Sequence, residues 1–474
     1  MTSTELRLAR HVAQLKADGL PDDAAVATRR GLFDTVACML AGLRSAECAA
    51  LGGLLERRGG IEESTAFGLA RKLPASSAAF LNGALAHWCE WDDLLDGGII
   101  HASAAIWPVL LAVAEARGHD GADAFDEIIA TAAASYDVAG RISEVLTPIS
   151  PNGWYSTSVA SAAAAAAGGA RLAGLDEEGI LSAMGLAATA SSLLRQPILD
   201  RVNGKNALCA QTASVAMDAV DLASIGIRGA PNFLLGDYGL CRMLTGQVPD
   251  YTAATADLGT RFSAAEISIK PYPCCRAAHP SIDLAFRLRG QLPASLPERI
   301  EIDVCEPMYE VVGRPFEPGG NPRMAALFSI PYTVASALLR GRVDLETFEL
   351  ASIAGDTELR ELAGRVAVKP YPIPFGTTMY QVPVTMRCFD DAGQIVAEAS
   401  TVEVSGSPAK PLTAEEFSRK LAACADGALS KSDVRAFLAM AENGCKGGLA
   451  PLLALARGAK FRDAAGGASL EAAQ

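Results

Sequence analysis

The segment from Ala160 to Ala170 consists almost entirely of alanine and glycine, and it limits the folds that the chain can adopt. Alanine is the best helix former, and side chains this small allow neighbouring helix backbones to approach closely. The segment therefore predicts a buried helix in the middle of a helical bundle. A low-complexity linker is the alternative interpretation of the same composition.

Apolar residues recur at helical spacing through most of the first 265 residues. Acidic residues at Asp22, Asp123 and Asp176 indicate helix starts, because negative charge is favourable at the N-terminus of a helix. The predicted helices include residues 4–17, 22–43, 76–88, 104–117, 123–146, 156–173, 176–192 and 207–225.

The pattern changes near residue 265. Alternation of apolar and polar residues predicts strands, and turn residues between the last two predict a β-hairpin; the strands are 299–305, 380–389 and 394–404. Helical patterns return at residues 280–289, 324–339, 414–429 and 431–442. We therefore predict a mainly α fold, in which residues 1–265 and 411–474 form an all-helical bundle domain and residues 266–410 form a smaller α+β domain.

Composition narrows the class of protein. Half of the 474 residues are hydrophobic and a fifth are charged, which is typical of a globular protein. The net charge of −13 argues against a nucleic-acid partner, because phosphates require a basic surface. The 11 irregularly spaced cysteines, with no signal-peptide pattern in residues 1–20, predict a cytoplasmic chain with reduced thiols. No apolar stretch reaches the roughly 18 residues that span a bilayer, so we expect no membrane partner.

An acidic cluster lies close to a histidine in the stretch HWCEWDDLLDGGIIHASAAIWP. Glu90, Asp92 and Asp93 lie within a dozen residues of His101, across a Gly-Gly turn. Carboxylates at the end of an apolar helix cost energy unless they are paired, coordinated or solvated. We interpret the stretch as the edge of an active site, in which the acids orient His101 for proton transfer. A solvated helix end and a metal site remain alternatives.

Two further segments supply basic residues. Lys205 ends RQPILDRVNGK and precedes a predicted helix, and ISIKPYPCCRAAH holds Lys270, Arg276 and His279 around stiffening prolines. The two lysines and the arginine could bind carboxylates and stabilise an enolate-like dianion. Each segment on its own is also typical of a solvated surface.

Taken together, these segments resemble the MmgE/PrpD family. EWDDLLDGGIIHASAAIWPVLLAVAE is similar to the family's acidic segment, which is followed by His-Pro and an apolar helix. NGKNALCAQTASVAMDAV resembles the family's lysine before a helix of small residues. KPYPCCRAAHPSID and SIPYTVASALLRG resemble its KxxPxC…H segment and its SxxY-A…L-x-G helix. The resemblance covers residues 5–430, with four segments in the family's order.

The resemblance implies a helical domain built from both chain ends, an α+β lid domain with the active site between them, a homodimer, and no metal or organic cofactor. The implied partner is a small anionic substrate. From the resemblance and from the residues themselves, we expect the catalytic residues to be His101, Lys205, His279, Asp93 and Tyr155. We expect the substrate-binding residues to be Asp92, Glu90, Leu94, Lys270, Arg276 and Cys275.

The chain departs from the family pattern within the expected pocket. Glu90 stands in place of the first acid, Leu94 in place of a threonine, Tyr155 in place of a histidine, and Ala102 in place of the proline after His101. With Trp91, these changes predict a more apolar pocket. We therefore expect a substrate that carries an apolar or larger group besides its carboxylates.

The resemblance implies proton transfer next to a carboxylate, and that chemistry has three outcomes. Loss of hydroxide gives a dehydratase, loss of carbon dioxide gives a decarboxylase, and reprotonation from the other face gives an epimerase. We expect a cofactor-independent lyase on a small di- or tricarboxylate, of the 2-methylcitrate dehydratase or cis-aconitate decarboxylase type, with dehydration ahead of decarboxylation. The alternatives are an epimerase that uses Tyr155 and Lys205, and a non-catalytic ligand-binding member of the fold.

Overall fold

The computed structural model describes residues 3–146, 154–191, 194–293, 296–374 and 377–462. The longer helices of the first half are α1 (Thr4–Gln14), α2 (Asp22–Gly42), α3 (Ala46–Arg58), α4 (Ala75–Trp88), α5 (Ser103–Ala116), α6 (Phe125–Leu146), α7 (Ser156–Leu172), α8 (Glu177–Ala190) and, after the short α9 (Gln196–Leu199), α10 (Leu208–Ser224). The short helices α11 (Leu240–Thr245) and α12 (Thr252–Ala256) follow.

The second half mixes helices with strands. Its helices are α13 (His279–Arg289), α14 (Glu306–Met308), α15 (Pro322–Leu327), α16 (Ile330–Arg340), α17 (Leu350–Gly355), α18 (Thr357–Gly364), α19 (Ala414–Ala425), α20 (Lys431–Asn443) and α21 (Ala450–Gly458). The strands of the whole chain are β1 (Leu94–Leu95), β2 (Ile267–Ser268), β3 (Arg299–Cys305), β4 (Val366–Tyr371), β5 (Val384–Phe389) and β6 (Ile395–Thr401). The mainly α fold predicted from the sequence is confirmed.

The predicted helices of the first half are present, and their ends differ from the prediction by no more than three residues. Helix α3 was not predicted, because Gly52 and Gly53 lower its helix propensity and tertiary packing outweighs them. The predicted helix 324–339 is divided into α15 and α16. The division occurs at Ser329, whose hydroxyl accepts a hydrogen bond from the Tyr332 amide and caps α16.

Close helix packing positions the residues around the site. The alanine-rich run lies in α7, which is almost wholly buried and packs against α5, α6, α8 and α10, so the linker interpretation is wrong. Helix α4 packs between α2 and α10. A Cβ on Gly83 would come within 3.1 Å of the Ala210 Cα, so glycine permits the close approach of α4 and α10.

The four-stranded sheet has the order β4-β3-β5-β6. Strands β5 and β6 form the predicted antiparallel hairpin, whereas β4, which runs parallel to β3, was not predicted. The apolar core forms two clusters. One joins residues from Leu8 to Ile269 with residues from Leu412 onward, and the other lies between Cys274 and Ala397. The helices at both ends of the chain therefore share one core, and the sheet has its own.

In the described parts of the chain, no single helix has the length and apolar character needed to cross a membrane. Only α2 and α3 taken together have this length and apolar character, and the two helices are bent by 93° relative to each other.

A buried ion pair connects α19 to the bundle. The Lys420 ammonium lies 2.5 Å from the Asp34 carboxylate on α2, and it donates a hydrogen bond of 2.8 Å to the Trp91 carbonyl. Both charged side chains are no more than 2% exposed. Burial lowers the pKa of Lys420, but the Asp34 carboxylate offsets this and raises the pKa above its ordinary value.

Lys420→Met should lower the free energy of unfolding by about 3–5 kcal/mol, because it leaves Asp34 buried without a partner. The double variant Asp34→Leu/Lys420→Met should recover most of this loss, since neither charge then remains buried. The thermal unfolding midpoints of the single and double variants measure the difference. Equal midpoints for the two would contradict the pairing.

Candidate active site

A cavity of about 340 Å³ lies between the helical bundle and the region that contains the sheet. Seven of the residues predicted for the site line it, and they are His101, Lys205, Tyr155, Glu90, Leu94, Arg276 and Cys275. Four others, Asp92, Asp93, Lys270 and His279, lie behind its wall. The structure thus gathers residues from four separated segments around one space.

The Asp92 carboxylate lies between two imidazoles. Its Oδ2 is 2.8 Å from Nδ1 of His87 and 3.0 Å from Nδ1 of His101, and the two rings lie edge to face, 4.6 Å apart. His87 belongs to the last turn of α4, and His101 lies two residues before α5. Sequence analysis did not single out His87. Its only signal was its place five residues before Asp92.

The two imidazoles differ in their affinity for protons. Burial lowers the pKa of His101 to about 4, although Asp92 opposes this. Burial also acts to lower the pKa of His87, but the Asp92 carboxylate overcomes it and raises that pKa to about 10. Burial would raise the pKa of Asp92, yet the two imidazoles hold it well below its usual range. At neutral pH His101 is therefore uncharged, and His87 retains the proton that faces Asp92.

Lys205 connects His87 to Glu90. The ammonium is 2% exposed, donates to the Glu90 carboxylate, and lies 2.7 Å from Nε2 of His87. A contact of this length between two nitrogens requires that one of them lacks a proton, so the pair shares one hydrogen. Burial would raise the pKa of Glu90, but Lys205, then His87 and Lys270, lower it to about 2.

The backbone around Glu90 is strained and firmly held. Glu90 has φ 53°, in the left-handed region that residues other than glycine seldom adopt. Lys270 donates a hydrogen bond of 2.8 Å to its carbonyl. The Asn206 amide donates to the carbonyls of His87 and Trp88 at the end of α4. The neighbour of Lys205 therefore caps the helix that carries His87, which brings these two side chains together.

Tyr155 and Arg276 complete the polar part of the wall. The Tyr155 hydroxyl lies 3.5 Å from Nε2 of His87, and burial raises its pKa well above the ordinary value. Arg276 is 1% exposed, donates a hydrogen bond of 2.7 Å to the Ser405 carbonyl, and lies 3.3 Å from the Asp96 carboxylate. The wall therefore contains a second cation besides Lys205.

Asp93 and His279, both predicted to be catalytic, are buried away from the cavity. The Ser103 hydroxyl donates to Asp93 at 2.5 Å, and burial followed by the charge of Asp34 raises the pKa of Asp93 well above its usual range. His279 is fully buried, with Nε2 3.3 Å from the Cys274 carbonyl. Burial and the neighbouring Arg276 hold the pKa of His279 well below its ordinary value.

Trp91 does not line the cavity, contrary to the expectation from the sequence. Its ring lies 5.6 Å from the Lys420 ammonium, on the side of the C-terminal helices. Leu94 does line the cavity, because its pairing with Ser268 in β1 and β2 fixes the direction of its side chain.

The arrangement also has the composition of a metal site. Donor atoms of His87, Asp92 and His101 lie within 4.8 Å of one another. The ring nitrogens already approach the same Asp92 oxygen at hydrogen-bond lengths, and Lys205 places a positive charge beside His87. These contacts favour a proton-transfer site over a cation site.

Comparisons with known proteins show which family the chain belongs to. The MmgE/PrpD N-terminal domain matches residues 6–251, and the MmgE/PrpD C-terminal domain matches residues 272–444. A cis-aconitate decarboxylase-like protein, oryM, of Aspergillus oryzae is 26% identical over 377 residues, which cover 74% of this chain and 76% of the relative. Human cis-aconitate decarboxylase is 23% identical over 385 residues, which cover 78% of this chain and 77% of the relative. The chain belongs to the MmgE/PrpD family.

Proposed function

We propose that this protein is a lyase that needs no cofactor and breaks a bond next to a carboxylate of a small di- or tricarboxylate. The observation that carries the proposal is the Asp92 carboxylate between the imidazoles of His87 and His101, beside a cavity that also contains Lys205 and Arg276. The relatives named cis-aconitate decarboxylases support decarboxylation ahead of dehydration, which reverses the order expected from the sequence.

Binding places the reacting end of the substrate at the polar wall. Lys205 and Arg276 both line the cavity, and charge-assisted hydrogen bonds to a carboxylate are among the strongest that side chains form. Both cations already contact a protein carboxylate, so they retain a fixed position before the substrate arrives. Such preorganised charge stabilises negative charge that develops during the reaction.

In the decarboxylation, the bond between the substrate carbon and its leaving carboxylate breaks, and carbon dioxide departs. The electron pair moves through the neighbouring double bond to the carbon beside a second carboxylate, which becomes an enolate-like dianion. That carbon then takes the hydrogen shared by Lys205 and His87, and solvent restores it. In a dehydration, neutral His101 would instead take the proton from carbon, and the shared hydrogen would leave with hydroxide as water.

A second candidate is an epimerase. The Tyr155 hydroxyl lines the same cavity as His101 and lies 3.5 Å from Nε2 of His87, so a donor and an acceptor could act on one substrate carbon. Such an enzyme would incorporate solvent deuterium into an unreacted chiral substrate. Retention of the substrate hydrogen through all turnovers would reject it.

His101→Gln should reduce the rate of a dehydration by about 10²–10⁴-fold, the usual size of an acid–base contribution, because His101 takes the proton from carbon in that reaction. A decarboxylation, in which Lys205 and His87 supply the hydrogen, should be slowed less. The assay incubates the pure protein with cis-aconitate, citrate and 2-methylcitrate, and follows alkene absorbance and carbon dioxide release. The matched control is His119→Gln, because His119 is exposed and should not affect the rate.

Three outcomes of this assay would contradict the proposal. Absence of turnover across the acids counts against a lyase. Binding of these acids by the wild type without any turnover, and unchanged ligand affinity in His101→Gln, indicate a non-catalytic binding protein. Complete loss of activity in a strong chelator, restored by one divalent ion, identifies His87, Asp92 and His101 as metal ligands.

The pH profile should show no inflection near the ordinary histidine value of about 6.5. With the pKa of His101 near 4 and that of His87 near 10, kcat/KM should stay level from about pH 5 to pH 9. Asp92→Asn removes the carboxylate that raises the pKa of His87, so activity should decline at a lower pH on the alkaline side. Glu310→Gln changes another carboxylate that lines the cavity and serves as the control. A wild-type inflection between pH 6 and 7 would contradict the assigned protonation states.

Leu94→Thr should shift substrate preference toward smaller and more polar acids. Leu94 lines the cavity, and burial of one methylene contributes about 0.8 kcal/mol, or about fourfold in selectivity for a methyl branch. The kcat/KM ratio of 2-methylcitrate to citrate measures the preference. Leu95→Thr is the control, because Leu95 follows in the same strand and does not line the cavity. An unchanged ratio in Leu94→Thr would show that this position does not contact the substrate.

A further inference from the structure

The charged residues that line the cavity differ in whether they contact another charged group of the protein. Lys205 contacts the Glu90 carboxylate, and Arg276 contacts Asp96. Arg195 also lines the cavity, but its guanidinium has no hydrogen-bond or ion-pair partner among the residues that the structure describes. A half-buried guanidinium in this state has five N–H donors available for an anion.

Two contacts place Arg195 at the cavity. Leu194 forms an antiparallel bridge with Trp154, the residue before Tyr155. The Arg195 carbonyl accepts a hydrogen bond of 3.0 Å from the Ile198 amide at the start of α9. Arg195 and Ile198 both line the cavity, as their spacing of three residues allows. The segment is therefore joined to the wall that contains Tyr155.

Apolar side chains lie near both Lys205 and Arg195. The Lys205 ammonium lies 5.3 Å from the centre of the Phe328 ring, and Ile198 packs against the core that surrounds the sheet. Phe328, Ile198 and Ile99 all line the cavity. Such a wall suits a ligand with an apolar middle and with charged groups that contact Lys205 and Arg195. An apolar surface strengthens the charge pairs and buries the CH₂ groups of the ligand away from water.

We propose that Arg195 binds a second substrate carboxylate, one that does not react, and so selects polycarboxylates over monocarboxylates. The proposal rests on the proposed function, in which Lys205 and Arg276 hold the reacting end. A guanidinium suits this task because its planar fork binds a carboxylate through two parallel hydrogen bonds.

Glutarate and its monoamide glutaramate test the proposal, because they have the same length and differ by one negative charge. Calorimetric titration compares wild type with Arg195→Gln. The variant should bind glutarate about 10- to 150-fold more weakly, the range expected for a hydrogen bond to a charged group. Its affinity for glutaramate should change by less than about threefold. Arg201→Gln is the matched control, since Arg201 belongs to the same segment but does not line the cavity, and it should bind both acids as wild type does.

Three results would overturn the proposal. An equal loss for glutarate and glutaramate would make Arg195 a structural residue. The same loss in Glu310→Gln would show that glutarate binding depends on the cavity lining in general and not on Arg195, because Glu310 lines the cavity too. Failure of the wild type to bind glutarate would show that the cavity is not a dicarboxylate site.

These titrations separate the inference from the proposed function, because binding requires no turnover. If the wild type binds glutarate through Arg195 but converts none of the acids, the carboxylate site is supported and the lyase activity is rejected. Conversely, turnover by the wild type with an unchanged KM in Arg195→Gln would support the lyase and reject the role proposed for Arg195. If both hold, Arg195→Gln should raise KM for the reacting acid and change kcat by less than about threefold.

Discussion

The contact of one buried carboxylate, that of Asp92, with two imidazoles determines how the rest of the site is charged. A carboxylate without partners is too costly to bury, so His87 and His101 must remain close to it. Its charge raises the pKa of His87, while burial lowers that of His101. The same electrostatic requirement extends outward, since Glu90 is stabilised by Lys205 and Lys270.

The fold satisfies this requirement by fixing one short segment from three distant parts of the chain. Asn206 donates to the carbonyls of His87 and Trp88, Lys270 to that of Glu90, and Lys420 to that of Trp91. Buried carbonyls need such donors, and here the donors come from the start of α10, from the segment after β2 and from α19. The strained φ of Glu90 persists because the carbonyls on both sides are held.

This construction separates two tasks. The residues behind the wall, such as Asp92 and Lys270, set charge and geometry, whereas His101, Lys205 and Arg276 face the cavity. Two of the departures from the family pattern, Leu94 and Tyr155, line the space that a substrate would occupy. Substitution there changes the shape and polarity of the cavity and leaves the buried ion pairs intact. A change of the cavity surface at these two positions is therefore compatible with an unchanged set of buried ion pairs.

The sequence by itself determined eight long helices of the first half, the hairpin, the family, and seven residues that line the cavity, because these depend on local periodicity and on motif order. It did not predict α3 or β4, whose glycines and exposed positions weaken the local pattern until tertiary contacts form. Only the tertiary structure decided that His87 joins the site while Asp93 and His279 lie outside the cavity. The direction and the protonation of a side chain depend on its burial and on charges from residues far away in the chain, such as Lys205. The sequence of one segment contains no information about this burial or these charges.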